Sequence, residues 1–148
     1  MKEIENITKS NTVAKLPLLA AVVALIGLGD SIYLTIHHLT KEIVPCGEGF
    51  DCGAVLSSQY AEIGGIPLAA FGVAAYFIAF SLAILAAFGN QTMWKLFGLQ
   101  VTLMVLASAY FVYLQAFVIK AFCQFCLISA GVCFTLFIIA LISKFWKK

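Results

Sequence analysis

The sequence predicts an all-α integral membrane protein: a bundle of four transmembrane helices, with an outward loop that carries a short surface helix between the first two. Of its 148 residues, 63% are hydrophobic and only 11% are charged. A water-soluble domain of this size could not bury so much apolar surface in one core. The apolar residues also fall into four stretches, each long enough to cross a bilayer as a helix.

The first span follows a polar N-terminal segment. Residues 1–15 show no apolar periodicity and are predicted to form a loose tail ahead of a single membrane domain, residues 16–148. Residues 16–37 form an apolar stretch that would extend about 33 Å as a helix. A secretory signal would have a shorter apolar region and a small-residue cleavage site, so we expect this segment to be retained as a span.

The polar loop between the first two spans holds the first pair of cysteines. Residues 41–65 include Cys46 and Cys52, and the two glycines between these thiols make a disulfide sterically easy. Such a staple is common in outward loops. Residues 54–61 are predicted to form a short helix on the membrane surface, and Pro67 suits the first turn of the next span.

Three further spans are predicted, at residues 68–88, 96–119 and 121–142. The first of these repeats alanine every four residues, a small-residue stripe through which a neighbouring helix can approach closely. Only Lys120 separates the last two spans, so they should form an antiparallel hairpin. The second cysteine pair lies at the tip of that hairpin.

Lysine positions predict the orientation of the spans. An even number of spans puts both termini on one side, and seven of the nine lysines lie on that side. By the positive-inside rule the termini are cytoplasmic. Both cysteine pairs then face the oxidising periplasm or exterior from the inner (plasma) membrane. The lysines on the terminal side are Lys2, Lys9, Lys15, Lys95, Lys144, Lys147 and Lys148, and those on the other side are Lys41 and Lys120.

The second pair, Cys123 and Cys126, has the spacing of a redox-active dithiol. Residues three apart share one face of a helix, so the two thiols can close a small disulfide ring or attack one partner in turn. A cysteine at a helix N-terminus also feels the positive end of the helix dipole, which favours the thiolate. Taken alone, such cysteines could be small buried apolar residues. A second dithiol on the same side favours redox chemistry over packing and over a purely structural loop disulfide.

Together the two pairs predict an electron relay. A soluble dithiol would reduce the loop disulfide, a freed loop thiolate would attack the pair at the membrane, and that pair would pass two electrons to an acceptor inside the bilayer. A quinone is the natural acceptor there. The alternative is a small four-span transporter with Asp30 as its coupling acid, since an acid is costly within a bilayer. Asp30 could equally serve only to bond the bundle together.

Three other chemistries are disfavoured. The chain has no arginine and a net charge of only +2, which does not suit nucleic acid binding. His37 and His38 are neighbours at the end of a span, where histidines are more often interfacial than haem ligands. A tetrathiolate zinc or iron–sulfur site would need a different gap in the first cysteine pair, so no metal is expected. Cys133, two turns beyond Cys126, is expected to serve packing.

Several short motifs spread over the spans form one specific pattern. They are Gly29-Asp30-Ser31-Ile32-Tyr33-Leu34, Cys46, Cys52, Val55-Leu56-Ser57-Ser58, Gly65-Ile66-Pro67, Phe71-Gly72, Tyr76, Phe122, Cys123 and Cys126. In these residues the chain resembles the vitamin K epoxide reductase family, in its bacterial membrane form without a fused thioredoxin-like domain. The DsbB family also has four spans and two cysteine pairs, but there the C-x-x-C pair comes first in the chain, whereas here it comes last.

The resemblance implies a fold, a cofactor and roles for individual residues. The fold would be a four-helix bundle around a quinone of the ubiquinone or menaquinone type. Cys46 and Cys52 would be the shuttle, and Cys123 and Cys126 the active site. Ser58 matches a loop serine near the reaction centre, although by itself such a serine is more often a helix cap. The residues that would line the quinone site are Cys126, Ser58, Leu56 and Phe71.

The implied function is oxidation of a DsbA-like thioredoxin-fold thiol protein, coupled to quinone reduction, in support of disulfide formation in exported proteins. Because the chain ends at Lys148, we expect this partner to be a separate protein; membrane lipid is the other expected partner. After Cys126 the chain reads Leu127-Ile128-Ser129-Ala130-Gly131, without the threonine-tyrosine-alanine of the animal enzymes. Reduction of vitamin K epoxide, or action mainly on the quinone cycle, is therefore an alternative and not the main prediction.

Overall fold

The computed structural model describes the backbone of residues 1–146, with the side chains of residues 8–14 and 146 left out of the description. Lys147 and Lys148, and the side chain of Lys9, which entered the lysine count, lie outside the described residues. The elements in chain order are α1 (Lys2–Thr40), α2 (Cys52–Leu56), a 3₁₀ turn (Gln59–Ala61), β1 (Glu62–Ile63), β2 (Ile66–Pro67), α3 (Leu68–Ala87), α4 (Gln91–Tyr113), a π-helical segment (Leu114–Ile119) and α5 (Gln124–Trp146).

Four helices are long and apolar enough to cross a membrane, counted over the described residues. They comprise residues 15–40, 68–87, 91–119 and 124–145. The predicted class, an all-α four-helix membrane bundle, is confirmed. We call the end where α1 finishes and α5 starts the loop end, and the opposite end the terminal end.

The N-terminal segment is helical, so the prediction of a loose tail over residues 1–15 is wrong. Helix α1 runs without interruption from Lys2 to Thr40 and contains Pro17. Glu3 and Glu5 lie in its first turn, where negative charge complements the positive end of the helix dipole. A polar helix of this kind carries no apolar periodicity, which is why the sequence pattern did not reveal it.

The third and fourth spans begin at other residues than predicted. Helix α4 starts at Gln91, five residues early, because the Asn90 side chain accepts hydrogen bonds from the backbone of the first turn at 3.1 and 3.3 Å. Helix α5 starts at Gln124 and not at Ala121. Lys120 adopts a left-handed conformation (φ 58°), which ends the preceding π-helical segment and makes residues 120–123 a connecting strip.

Small side chains bring α1 and α3 together in the middle of the bundle. Ala20 and Ala24 of α1 and Ala79 and Ala83 of α3 are fully buried in one apolar cluster with residues of α4 and α5. The predicted alanine stripe is therefore a packing surface at Ala79 and Ala83. Near the terminal end the Trp94 indole donates a hydrogen bond of 2.8 Å to the Ser143 hydroxyl, which ties α4 to α5.

The loop between α1 and α3 contains two short helical pieces and a hairpin, instead of one helix over residues 54–61. Asp51 caps α2 by accepting from the Ala54 backbone at 3.0 Å. The following chain turns into an antiparallel pairing of β1 with β2. Its turn is Gly64-Gly65, with φ values of 61° and 83°, which glycine adopts without steric cost.

Candidate functional site

The C-x-x-C pair lies at the loop end, at the start of α5. Cys123 precedes the helix and its carbonyl accepts a hydrogen bond of 3.1 Å from Leu127, so it occupies the N-cap position, and Cys126 lies in the first turn. The Cys123 side chain is fully buried. The predicted place of this pair, a helix N-terminus at the tip of a helical hairpin, is thus observed, with the helix starting one residue after the first thiol.

Gln115 holds Cys123 in place, and sequence reasoning missed it. Its side-chain oxygen accepts the Cys123 backbone N–H at 3.1 Å, and its backbone carbonyl accepts from Ala121, also at 3.1 Å. Gln115 is buried in the π-helical segment, a backbone form that occurs often at functional sites. The available signal was a polar side chain near the end of an apolar span.

The loop cysteines are joined to each other and held against the second pair. Cys46 and Cys52 form a disulfide with their Cα atoms 6.2 Å apart. The backbone of Asp51 donates to the carbonyl of Phe122 at 2.9 Å, and the Gly47 backbone donates to the Gln124 side chain at 3.0 Å. These hydrogen bonds attach the loop on both sides of Cys123.

The four thiol positions differ in exposure. Cys52 and Cys123 are buried in one cluster at the loop end, with side-chain exposures of 1% and 0%. Cys46 is half-buried and reaches the surface of the loop. The loop pair therefore has one partly exposed cysteine, Cys46, and one buried cysteine, Cys52, in the same cluster as Cys123.

Hydrogen bonding within the second pair favours the thiolate of Cys123. The Cys126 thiol donates to the Cys123 sulfur and lowers the pKa of Cys123 to about 7, while burial and the nearby Asp30 carboxyl act in the opposite direction. A thiol with this pKa is half ionised near neutral pH, which suits a group that takes part in disulfide exchange.

A thiol titration can test whether the hydrogen bond from Cys126 lowers the pKa of Cys123. The ultraviolet thiolate absorbance that disappears in Cys123→Ser should rise with pH with a midpoint near 7. In Cys126→Ala the same absorbance should titrate nearer the ordinary thiol value of about 8.5, because the donor hydrogen bond is gone. An unchanged midpoint in Cys126→Ala would show that another group sets the pKa.

A cavity of about 420 Å³ lies beside the second pair, lined by residues of α1, α3, α4, α5 and the surface loop. Its wall is mainly apolar, with a few polar groups, as in sites for small organic molecules. Every residue that the sequence assigned to the quinone site lines it: Cys126, Ser58, Leu56 and Phe71. Cys123 is not part of the wall, so the pair presents one sulfur to the loop cluster and the other to the cavity.

Comparison of the chain with known protein families gives a match that covers most of its length. The family described as Vitamin K epoxide reductase family matches residues 18–141, which include most of each of the four spans and both cysteine pairs. The chain belongs to the vitamin K epoxide reductase family. The family predicted from the sequence motifs is thereby confirmed.

A curated relative in this family carries a name that fits the thiol chemistry. It is the Arabidopsis thaliana protein named thiol-disulfide oxidoreductase LTO1, with 35% identity over 122 residues. The match covers 75% of this chain and 32% of the relative, so the chain spans about a third of the length of that protein.

Vitamin K epoxide reductase family membership implies a quinone, and the cavity residues fit one. A quinone is a flat apolar ring with two carbonyl oxygens, so it needs apolar walls and a few hydrogen-bond donors. Leu56 and Phe71 supply apolar wall, and the hydroxyls of Ser58 and Tyr60 lie in the same lining. Cys126 brings a sulfur to the cavity.

A network around Tyr76 closes the deep side of the cavity. The Tyr76 hydroxyl lies 2.8 Å from both the carbonyl and the hydroxyl of Ser129, and 3.1 Å from the Cys133 sulfur. Cys133 is buried in the apolar core cluster, as expected of a packing residue, and it also lies within hydrogen-bond distance of Tyr76 and lines the cavity.

Proposed function

We propose that the protein is a quinone-linked thiol oxidoreductase. It oxidises a thioredoxin-fold dithiol protein and passes the electrons through two cysteine pairs to a quinone, in support of disulfide formation in exported proteins. The observation that carries this proposal is the placement of the cysteines: the loop pair is fastened to the second pair, and Cys126 of the second pair lines an apolar cavity within the spans.

The loop disulfide is the entry point, and exposure supports Cys46 as the sulfur that is attacked. A donor thiolate attacks Cys46, a mixed disulfide forms between donor and Cys46, and Cys52 leaves as a thiolate. The second donor thiol then attacks the mixed disulfide, which releases the oxidised donor and the Cys46 thiolate. The buried position of Cys52 keeps its thiolate away from other partners.

Transfer to the second pair uses Cys52 and Cys123. The Cys52 thiolate attacks Cys123 of the oxidised second pair, so that a Cys52–Cys123 bond forms and Cys126 leaves as a thiolate. Cys46 then attacks Cys52, which restores the loop disulfide and leaves Cys123 and Cys126 reduced.

The cavity residues complete the reaction at Cys126. A bound quinone supplies a two-electron, two-proton acceptor. Closure of the Cys123–Cys126 bond releases two electrons next to it, while Leu56 and Phe71 exclude water and the Ser58 hydroxyl offers a hydrogen bond.

The direct test is a reconstituted assay. Purified protein in lipid nanodiscs would receive a reduced thioredoxin-fold donor and either a ubiquinone or a menaquinone analogue, and hydroquinone formation would be followed by absorbance. We expect turnover with at least one quinone and none in Cys123→Ser. Donor oxidation without hydroquinone would contradict quinone linkage.

The same variants test the alternative of a transporter. Loss of activity in Asp30→Asn with full activity in Cys123→Ser would favour a transporter.

The lysine distribution supports an orientation with cytoplasmic termini. In whole cells, a membrane-impermeant thiol reagent added after mild reduction should then label Cys46 from outside. Labelling of Cys46 only in inverted vesicles would reverse the proposed orientation.

A further inference from the structure

Asp30 is an unpaired acid in the wall of the cavity. It belongs to the membrane-spanning part of α1, and its Oδ2 atom is buried with no hydrogen-bond partner in the part of the chain that the structure describes. A carboxyl in this position is expensive to keep as an anion, and acids inside membrane spans are usually functional. The relay described above uses no acid, so Asp30 is left without a role.

Close helix contacts on both sides hold Asp30 at the cavity. At Gly27, one turn toward the terminal end, a Cβ atom would overlap the ring of Tyr76. At Gly72 of α3, a Cβ would come within 2.9 Å of the Ser31 hydroxyl. Helices α1 and α3 are therefore packed closely together around this point, which holds the α1 backbone at Asp30 beside the cavity.

Among the titratable groups around the cavity, Asp30 is the carboxylic acid in the lining and has no hydrogen-bond partner at Oδ2 among the described residues. Helix α3 contributes Tyr76, whose hydroxyl is occupied by Ser129 and Cys133. The loop contributes Tyr60, and α4 adds no titratable side chain to the lining. The thiols of α5 are Cys126 and Cys133, with Cys123 just before the helix. On α1 itself, His38 lies two turns nearer the loop end, about 12 Å along the axis, and is bonded to Glu62 at 2.6 Å.

The proton count of the proposed reaction requires a further donor. Reduction of a quinone to a hydroquinone takes two electrons and two protons. A Cys123 thiolate with a Cys126 thiol supplies both electrons when the disulfide forms, but only the single proton of Cys126. With Cys123 half ionised near neutral pH, the second proton has often left before the reaction starts.

We propose that Asp30 is the proton donor to the quinone reduced in this cavity, an inference that rests on the proposed function. In this step the Cys123–Cys126 bond forms and two electrons pass to the quinone. One proton comes from Cys126 and one from the Asp30 carboxylic acid, so hydroquinone and the Asp30 carboxylate are the products. The negative charge of the starting thiolate thus ends on Asp30, which regains a proton from water before the next cycle.

The first test measures the acid without turnover. In wild-type protein the infrared carbonyl band of a protonated carboxylic acid should be present and should shift when a quinone analogue is added. Asp30→Asn should lack that band, and its folding is checked by circular dichroism and by retention of the Cys46–Cys52 disulfide. A band that persists unchanged in Asp30→Asn, or is absent from wild type at neutral pH, would overturn the proposal.

The second test separates proton delivery from electron delivery. In a single turnover started from the reduced Cys123–Cys126 pair, Asp30→Asn should form hydroquinone about 100-fold more slowly, the usual loss for a removed general acid. Exchange between the loop pair and the second pair should keep its rate, and Asp30→Glu should recover most of the activity. Equal rates in wild type and Asp30→Asn would refute the role of Asp30. Absence of hydroquinone in wild type itself would refute the proposed function instead.

Discussion

Replacing Cys46 with alanine is expected to stop turnover and to leave Cys52 covalently joined to Cys123. Without Cys46 the Cys52 thiol is permanently free, and it lies in the same buried cluster as Cys123. It can therefore attack the oxidised second pair, but the Cys46 thiolate that would resolve the Cys52–Cys123 bond in the forward direction is missing. Steady-state quinone reduction should fall by about 10³-fold or more, as for other essential nucleophiles.

Mass spectrometry of the unreduced, proteolysed variant detects this bond directly. The matched control is Cys52→Ala, which retains Cys46 as a free thiol; its thiolate can attack the disulfide of an oxidised donor to give a Cys46–donor mixed disulfide, and no loop cysteine should become joined to Cys123. If Cys46→Ala contained a free Cys52 and an intact Cys123–Cys126 disulfide, Cys52 would not be the sulfur that passes electrons inward.

The spans were predictable because hydropathy depends only on local composition. Residues 68–88 were predicted for α3, which covers Leu68–Ala87. The boundaries that failed depend on backbone geometry instead. The start of α5 was missed because Lys120 adopts a left-handed backbone conformation, so residues 120–123 are not helical. Instead, they form hydrogen bonds with the loop and with Gln115. Composition marks only Lys120 as a break; Ala121, Phe122 and Cys123 are as apolar as the residues of the helix that follows.

The part of the candidate site that depends on the spacing of residues along the chain was predictable. The two cysteine pairs were found from their intervals alone, and the family pattern added Ser58, Leu56 and Phe71. The Tyr76 network was not predicted, because its partners lie 53 and 57 residues away on another helix. Cys133 stands two turns beyond Cys126 on the face of α5 that meets the cavity, and that face became visible only once the bundle was assembled.

Ser58→Ala is expected to slow quinone reduction about a hundredfold while leaving the thiol steps intact. The Ser58 hydroxyl lines the cavity and donates to the Val55 carbonyl at 2.7 Å. That carbonyl also accepts the Ser58 backbone N–H at 3.3 Å, so it keeps a partner when the side chain rotates toward the cavity. There the hydroxyl can stabilise negative charge on a quinone oxygen, and removing one such donor typically costs about 3 kcal/mol in the chemical step.

Ser57 provides a matched control for this substitution. Its hydroxyl also donates to a backbone carbonyl of the preceding turn, that of Gly53 at 2.6 Å, but its side chain is exposed and does not belong to the cavity wall. Loss of a helix-end hydrogen bond alone costs about 1 kcal/mol of stability. Ser57→Ala should therefore lower the melting temperature slightly and leave turnover unchanged, whereas Ser58→Ala should form hydroquinone slowly in a single turnover from the reduced second pair. If the two variants shared the same small loss of stability and both kept normal turnover, Ser58 would serve only to bond the backbone of the loop.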